Sequence, residues 1–230
     1  MNKAFSLSLI VPAYNEEEGI EYAIKSNLAT LRKEGLDFEI IIINDGSIDG
    51  TKQIIEQHFA GLSEVKFESK PNGGFGSAIR KGVTLAAKSH IIFAPVDCPL
   101  SPATLSSFLS NHDKADILVS YRRERKGYNW RMKLNSKVYN LMVSLLFGFS
   151  LKDFNWIHMY PKKMFDSDIT IEYDGIFMPA EVLIKAHKQG YSFHEFPVDM
   201  EKRTTGKATA QSLKAIVQTF RDLIKFFVNR

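Results

Sequence analysis

Polar side chains gather where the first two predicted strands end. Residues 12–16 read Pro-Ala-Tyr-Asn-Glu and residues 44–47 read Asn-Asp-Gly-Ser, each directly after an apolar run. Pro12 is expected to end the first strand, and the aromatic, amide and carboxylate groups that follow it suit a nucleobase and a ribose. The alternative is a helix start, with Asn15 as the N-cap and acidic residues in the first turn. Asp45 alone is weak evidence, but two acidic strand ends at one sheet edge indicate ligand binding.

A glycine-rich stretch follows the third predicted strand, where residues 72–78 read Asn-Gly-Gly-Phe-Gly-Ser-Ala. Glycine lets the backbone approach a ligand closely, and amides at the start of the next helix can face an anion. The dinucleotide-binding fingerprint is excluded by position, because that motif follows the first strand. The remaining alternative is a glycine turn that only packs the helix closely.

The elements that position these residues alternate between strands and helices. Short apolar runs predict strands over residues 6–12, 38–44, 65–68, 90–96 and 116–120. Helical spacing predicts helices between them, over residues 17–33, 49–59, 75–87 and from 101 onward. This order predicts an α/β fold with a mostly parallel central sheet and helices on both faces. Ligands bind beyond the carboxyl ends of such strands, which predicts a site at residues 12–15, 44–47, 95–97 and 120–123.

The second half is less regular, with helices predicted over 129–147, 177–188 and 213–228 and a strand over 191–198. We assign residues 1–210 to one α/β domain and residues 211–230 to a C-terminal amphipathic helix. Its apolar stripe suits either an interfacial helix or packing on the domain core. The apolar segment 141–151 has the same two interpretations. The stripe comprises Leu213, Ile216, Val217, Phe220, Leu223, Ile224, Phe227 and Val228.

Composition narrows the class of protein. The chain has 230 residues, one cysteine and a net charge of +4, and no apolar run reaches the roughly 20 residues that span a bilayer. We therefore expect a cytoplasmic protein, soluble or peripheral to the membrane, without disulfides. The basic charge is either an ordinary surface property or a sign of an anionic partner. We do not expect nucleic acid as a partner, because the basic residues lie in loops and not along one helix or sheet face.

The three motifs at 12–16, 44–51 and 72–78, in this order and spacing, resemble glycosyltransferase family 2. Over residues 6–207 the chain is most similar to the polyprenyl-phosphate sugar synthases, such as the dolichol-phosphate mannose synthases. The resemblance implies a GT-A fold, a GDP- or UDP-linked sugar donor and inversion at the anomeric carbon. It also implies that Tyr14, Glu16 and Asp45 hold the nucleoside. The other donor-binding residues that it implies are Pro12, Asn15, Gly74, Gly76, Ser136 and Lys207.

The family carries an Asp-x-Asp motif at the end of the fourth strand, which holds a divalent metal on the diphosphate. Here Pro95 takes the first position and only Asp97 remains. Because one carboxylate holds a hard cation less tightly than two, we expect Mg²⁺ or Mn²⁺ to bind weakly at Asp97. Basic side chains would then share the neutralisation of phosphate, and the implied catalytic residues are Asp97, Arg122, Arg131 and Arg203. A non-catalytic nucleotide-sugar-binding homologue is the alternative.

The acceptor is inferred from the balance of charged residues. An acceptor phosphate is already anionic at neutral pH and needs no general base, since its second pKa is about 6. A sugar hydroxyl would need a carboxylate, for which Asp153, Asp174 and Glu181 are candidates. The many basic residues favour a polyprenyl phosphate acceptor, with a hydroxyl in polysaccharide or glycan synthesis as the alternative. Expected partners are a membrane surface and either a membrane protein or further copies of this chain.

Overall fold

The computed structural model describes residues 5–124, 128, 130–199 and 213–229. In chain order the described elements are β1 (Ser6–Ala13), α1 (Ile20–Lys33), β2 (Asp37–Asn44), α2 (Thr51–His58), β3 (Val65–Ser69), α3 (Phe75–Leu85), β4 (His90–Phe93), α4 (Pro102–Ser110), β5 (Ile117–Arg122), α5 (Trp130–Phe147), β6 (His158–Pro161), α6 (Lys162–Ser167), α7 (Met178–Lys188), β7 (Phe193–Val198) and α8 (Leu213–Val228).

The strands form one sheet of seven in the order β3-β2-β1-β4-β6-β5-β7. Most neighbouring strands are parallel, but β6 runs antiparallel to both β4 and β5. The predicted α/β fold with a mostly parallel sheet is confirmed. Strand β6 and helix α6 are not predicted from the sequence, because four and six residues are too short to show a strand or helix period.

The core lies on both faces of this sheet. In β2, Ile40 and Ile42 belong to the apolar cluster that also includes residues of α1, α2 and α4 on one face of the sheet. Ile41 and Ile43 belong to the cluster on the other face, which includes residues of α3, α5, α7 and α8. All four isoleucine side chains are fully buried. This double burial explains the continuous apolar run, since successive side chains of a strand point to opposite faces.

The C-terminal helix α8 contributes to the core and also faces solvent. Leu223 is fully buried, and Phe220 and Phe227 pack against the core. Val217 and Ile224, at the border of the same stripe, are exposed. Packing on the domain core is therefore observed for part of the stripe, and the interfacial interpretation stays a prediction. The division at residue 210 stays a prediction, since residues 200–212 lie outside the described part of the chain. Among the described helices, none is both long and apolar enough to cross a bilayer.

Candidate functional site

The ends of β1, β2 and β3 are aligned across the sheet. Ala13 of β1 is in register with Asn44 of β2, and Asn44 is in register with Ser69 of β3. The next residue of each chain segment therefore leaves the sheet at the same level. These residues are Tyr14, Asp45 and Lys70.

Asp45 is the buried anchor of this edge. Its Oδ1 accepts a hydrogen bond from the Gly73 amide at 3.0 Å, and its Oδ2 accepts one from the Gly74 amide at 2.8 Å. The Lys70 ammonium also contacts the carboxylate. The Asp45 side chain is 5% exposed and that of Lys70 is 20% exposed. Lys70 was not among the predicted site residues, although a lysine directly after a strand and before a glycine-rich turn is a usable signal.

Asn15 links the two loops that follow β1 and β2. Its φ of 55° lies in the left-handed region, which asparagine tolerates better than most residues. Its Oδ1 accepts a hydrogen bond from the Ile48 amide at 2.9 Å, and its own amide donates to Ser47 Oγ at 3.0 Å. Helix α1 begins only at Ile20, with Gly19 at its N-cap. The alternative that Asn15 caps this helix is therefore wrong.

Tyr14 and Glu16 flank Asn15 at the same edge. The Tyr14 side chain is 48% exposed, and Glu16 is half-buried with its amide donating to Thr51 Oγ1 at 2.8 Å. Pro12 lies inside β1 and does not end it. Proline has no N–H, but this breaks no hydrogen bond of the sheet. The Pro12 nitrogen is on the β4 side of the strand, and the pairing with β4 already ends at Ile10.

Gly74 and Gly76 make room for another backbone segment. Gly74 has a φ of 91°, and a Cβ placed on Gly76 would lie 2.0 Å from the carbonyl oxygen of Tyr173. The Gly76 amide donates to the Asp174 carbonyl at 2.9 Å. On α3, Arg80 holds the same segment through Ile171 and Asp174. Both glycines therefore permit the close approach of residues 173–174, and their part in donor binding stays a prediction.

Strand order places the end of β4 beside the end of β1, on the side away from β2. Asp97 follows β4 and is half-buried, next to a turn in which the Cys98 amide donates to the Pro95 carbonyl at 3.1 Å. Over the part of the chain that the structure describes, no three His, Cys, Asp or Glu side chains form a metal-binding group.

Arg122, at the end of β5, forms a bidentate ion pair with Asp153. Its Nε and Nη2 donate to the two carboxylate oxygens at 2.7 and 2.9 Å, and its Nη1 donates to the Tyr128 hydroxyl at 2.8 Å. The guanidinium also stacks 4.5 Å from the centre of the Trp156 ring. The two charged side chains are only 6% and 2% exposed. Burial lowers the pKa of Arg122, but the Asp153 charge and hydrogen bonds outweigh it and raise that pKa above its ordinary value.

The three candidate bases are all engaged with other protein groups. Asp153 holds Arg122, and the fully buried Glu181 accepts hydrogen bonds from the Glu172 and Tyr173 amides. Asp174 is half-exposed and pairs with Arg80. None of the three carboxylates therefore stands alone in an open position.

The remaining predicted residues lie further along the chain. Arg131 and Ser136 are on α5, where the Arg131 guanidinium lies 5.3 Å from the centre of the Trp130 ring. Arg203 and Lys207 lie outside the described residues. The structure thus brings together the ends of β1, β2 and β3, with Asp97 and Arg122 at the ends of strands further across the same sheet.

A family model described as Glycosyl transferase family 2 matches residues 8–173, which is most of the chain. The chain belongs to glycosyl transferase family 2. The match spans the three motifs, Asp97, Arg122 and Asp153, so the described site lies within the family's own domain.

A curated relative in the same family is undecaprenyl-phosphate 4-deoxy-4-formamido-L-arabinose transferase of Proteus mirabilis, 23% identical over 181 residues. That alignment covers 77% of this chain and 55% of the relative, so the chain spans about half the relative's length. The family match and this relative confirm the resemblance to polyprenyl-phosphate sugar synthases.

Solved structures share the fold. Glucosyl-3-phosphoglycerate synthase of Mycobacterium tuberculosis, in complex with Mn²⁺, UDP and phosphoglyceric acid, superimposes with a TM-score of 0.75 at 16% identity, covering 97% of this chain and 78% of that one. The same enzyme with Mg²⁺ and UDP gives a TM-score of 0.73 at 16% identity, over 96% and 79% of the two chains. The predicted GT-A fold is confirmed. Family and relatives together support the predicted class of enzyme, a glycosyltransferase.

Proposed function

We propose that this family 2 member is an inverting glycosyltransferase that moves a sugar from an NDP-sugar to a polyprenyl phosphate. The observation that carries the proposal is the aligned edge of β1, β2 and β3, where exposed Tyr14 is in register with the buried Asp45, which Lys70 contacts. The relative named for undecaprenyl phosphate supports the acceptor, and the structural neighbour holds UDP together with a phosphate-bearing acid.

The donor nucleoside is proposed to bind at this edge. The exposed Tyr14 ring offers a face for the base, and Glu16 offers a carboxylate for the ribose. Asp45 fixes the Gly73–Gly74 backbone and holds the Lys70 ammonium, which is proposed to lie close to the base. The reciprocal hydrogen bonds of Asn15 hold the two loops in one conformation, which limits the ordering cost of donor binding.

A divalent metal fits this site only as a weakly held ion. Mg²⁺ keeps several waters and commonly binds one or two carboxylates together with substrate phosphates. Asp97 supplies one carboxylate, while Pro95 supplies none, so the donor diphosphate would provide most of the other non-water ligands. When bound, the metal supplies positive charge that stabilises the departing diphosphate. We propose Asp97 as its protein ligand, with Mg²⁺ or Mn²⁺ as the ion.

The acceptor phosphate is proposed to attack without a general base. A phosphate oxygen forms the bond to the anomeric carbon while the bond from that carbon to the diphosphate breaks, which inverts the configuration and releases the nucleoside diphosphate. No proton needs to be removed, in keeping with three candidate bases already engaged by protein groups. Arg131, Ser136, Arg203 and Lys207 are proposed to bind the phosphates.

Arg122 is proposed to act differently from those residues. Its guanidinium already holds Asp153 and Tyr128 and stacks on Trp156. We therefore assign it to positioning the β5 end and the segment before β6. The reaction would take place at the cytoplasmic face of a membrane, where a polyprenyl phosphate is anchored.

The test is release of nucleoside diphosphate from a panel of UDP- and GDP-sugars, with and without short-chain polyprenyl phosphate and Mn²⁺. The proposal predicts release of one nucleotide that depends on the lipid and is lost in Asp97→Ala. Release stimulated by soluble sugars instead of lipid would point to a hydroxyl acceptor. Tight donor binding without turnover on either acceptor would mean that Pro95 marks a binding protein without the reaction.

A further inference from the structure

One face of α5 carries a continuous apolar stripe that no described element covers. Its five side chains are 40% to 74% exposed, whereas most large apolar side chains of this fold are buried. Successive spacings of four, four, three and four residues place them on one side of the helix. They are Trp130, Leu134, Val138, Leu141 and Leu145.

The opposite side of α5 already packs against the core. Tyr139, Val143 and Phe147 are buried there, and α8 covers two of them through Phe220 and Phe227. The exposed stripe is therefore a second apolar face. A helix with apolar residues on both sides is ordinarily buried on both sides.

Basic residues border the stripe and acidic ones are absent from the helix. At 100° per residue, Lys133 and Lys137 fall along one border and Arg131 along the other, and all three are exposed. The sequence of α5 contains no Asp or Glu. On the neighbouring α8, Val217 and Ile224 are also exposed.

We propose that this face of α5 rests on an anionic lipid bilayer, with its apolar stripe in the headgroup boundary and its basic borders against lipid phosphates. An apolar face flanked by lysine and arginine, with tryptophan at one end, is typical of helices that lie in a membrane interface. A second copy of the chain is a poorer occupant, because self-association through this face would bring like charges together.

This inference rests on the proposed function and locates its lipid side. Arg122 donates to the hydroxyl of Tyr128, which lies two residues before α5. The bilayer contact would thus begin beside the region where the acceptor phosphate is proposed to bind. A lipid-anchored acceptor could then reach the site with its chain still in the membrane.

The experiment measures binding of the full chain to vesicles of phosphatidylcholine, with or without phosphatidylglycerol, by flotation. We expect binding to the anionic vesicles that weakens in high salt, since salt screens surface charge. Leu141→Ser/Leu145→Ser should lower the partition coefficient by on the order of tenfold or more. The matched control is Tyr22→Ser, which removes an exposed aromatic residue from α1 on the other face of the sheet and should bind like the wild type.

Two results would overturn the proposal. One is equal vesicle binding by the wild type and the double variant, and the other is a wild-type dimer that this variant converts to monomer without any vesicle binding. Turnover with a water-soluble short-chain polyprenyl phosphate separates this proposal from the proposed function. The double variant should retain this turnover. If the wild type shows no turnover of the water-soluble acceptor, that result counts against the proposed function and not against the membrane contact.

Discussion

The ion pair between Arg122 and Asp153 provides a quantitative test of how the site is built. Both side chains are more than nine-tenths buried and are joined by two short hydrogen bonds. Removing one partner from such a pair leaves a buried charge without compensation, which costs about 3–5 kcal/mol. Arg122→Met and Asp153→Leu should each lower the free energy of unfolding by about that amount.

The double variant decides whether this cost arises from the pair. Arg122→Met/Asp153→Leu leaves neither charge behind, and replacing a buried pair by apolar side chains is often close to neutral. We expect it to be more stable than either single variant by at least ~2 kcal/mol, even though the contacts to Tyr128 and Trp156 are lost. Urea unfolding followed by tryptophan fluorescence measures all four proteins.

A different pattern would refute this reasoning. If each single variant lost less than about 1 kcal/mol and the double variant lost their sum, the pair would not be a coupled, desolvated unit. Arg122 would then be available to bind a phosphate directly. In that case Arg122→Met should abolish turnover while leaving the free energy of unfolding nearly unchanged.

Three further predictions concern Gly76, His158 and Lys70. Gly76→Ala should lower the free energy of unfolding by about 1–3 kcal/mol or more, because its Cβ would meet the Tyr173 carbonyl oxygen, as thermal unfolding would show. Burial lowers the pKa of His158 to about 4, so the free energy of unfolding should fall by up to ~3 kcal/mol as pH falls from about 6.5 toward 4. In urea unfolding, His158→Gln should flatten this pH dependence. Lys70→Met should weaken nucleotide binding by roughly tenfold in calorimetry, because the loop held by Asp45 loses its charged contact.

Each of these predictions has a control or a contrary result within the chain. Gly61→Ala is the control for Gly76→Ala, since its Cβ would meet nothing within 4 Å. Lys52→Met, on the exposed side of α2, is the control for Lys70→Met and should not change nucleotide binding. An unchanged pH dependence in the His158 variant would show that another group titrates in that range.

The strand ends of the site were predictable from the sequence because they depend on local patterns. The run Ile40–Ile43 is continuous because both faces of β2 are buried, and the turn residues after it mark where the strand ends. The register that aligns Tyr14 with Asp45 follows from neighbouring parallel strands. For this reason the candidate edge could be located before its geometry was known.

The partners of individual side chains were not predictable in the same way. Asp153 lies 31 residues from Arg122, and Tyr173 lies almost a hundred residues from Gly76, so no local pattern connects them. The sequence therefore suggested a phosphate contact for Arg122, where the structure shows an ion pair. Strand β6 was missed because its four residues carry no periodic signal.

The most direct test of the central claim is transfer of labelled sugar from the nucleotide into the lipid phase. The 230-residue chain is incubated with polyprenyl phosphate, Mn²⁺ and the donor that the panel selects. The label in the organic extract is then counted. The account predicts lipid-soluble label that appears in proportion to released nucleoside diphosphate and is lost in Asp97→Ala. Nucleotide release with all label remaining in water, or label passing to a sugar hydroxyl, would contradict it.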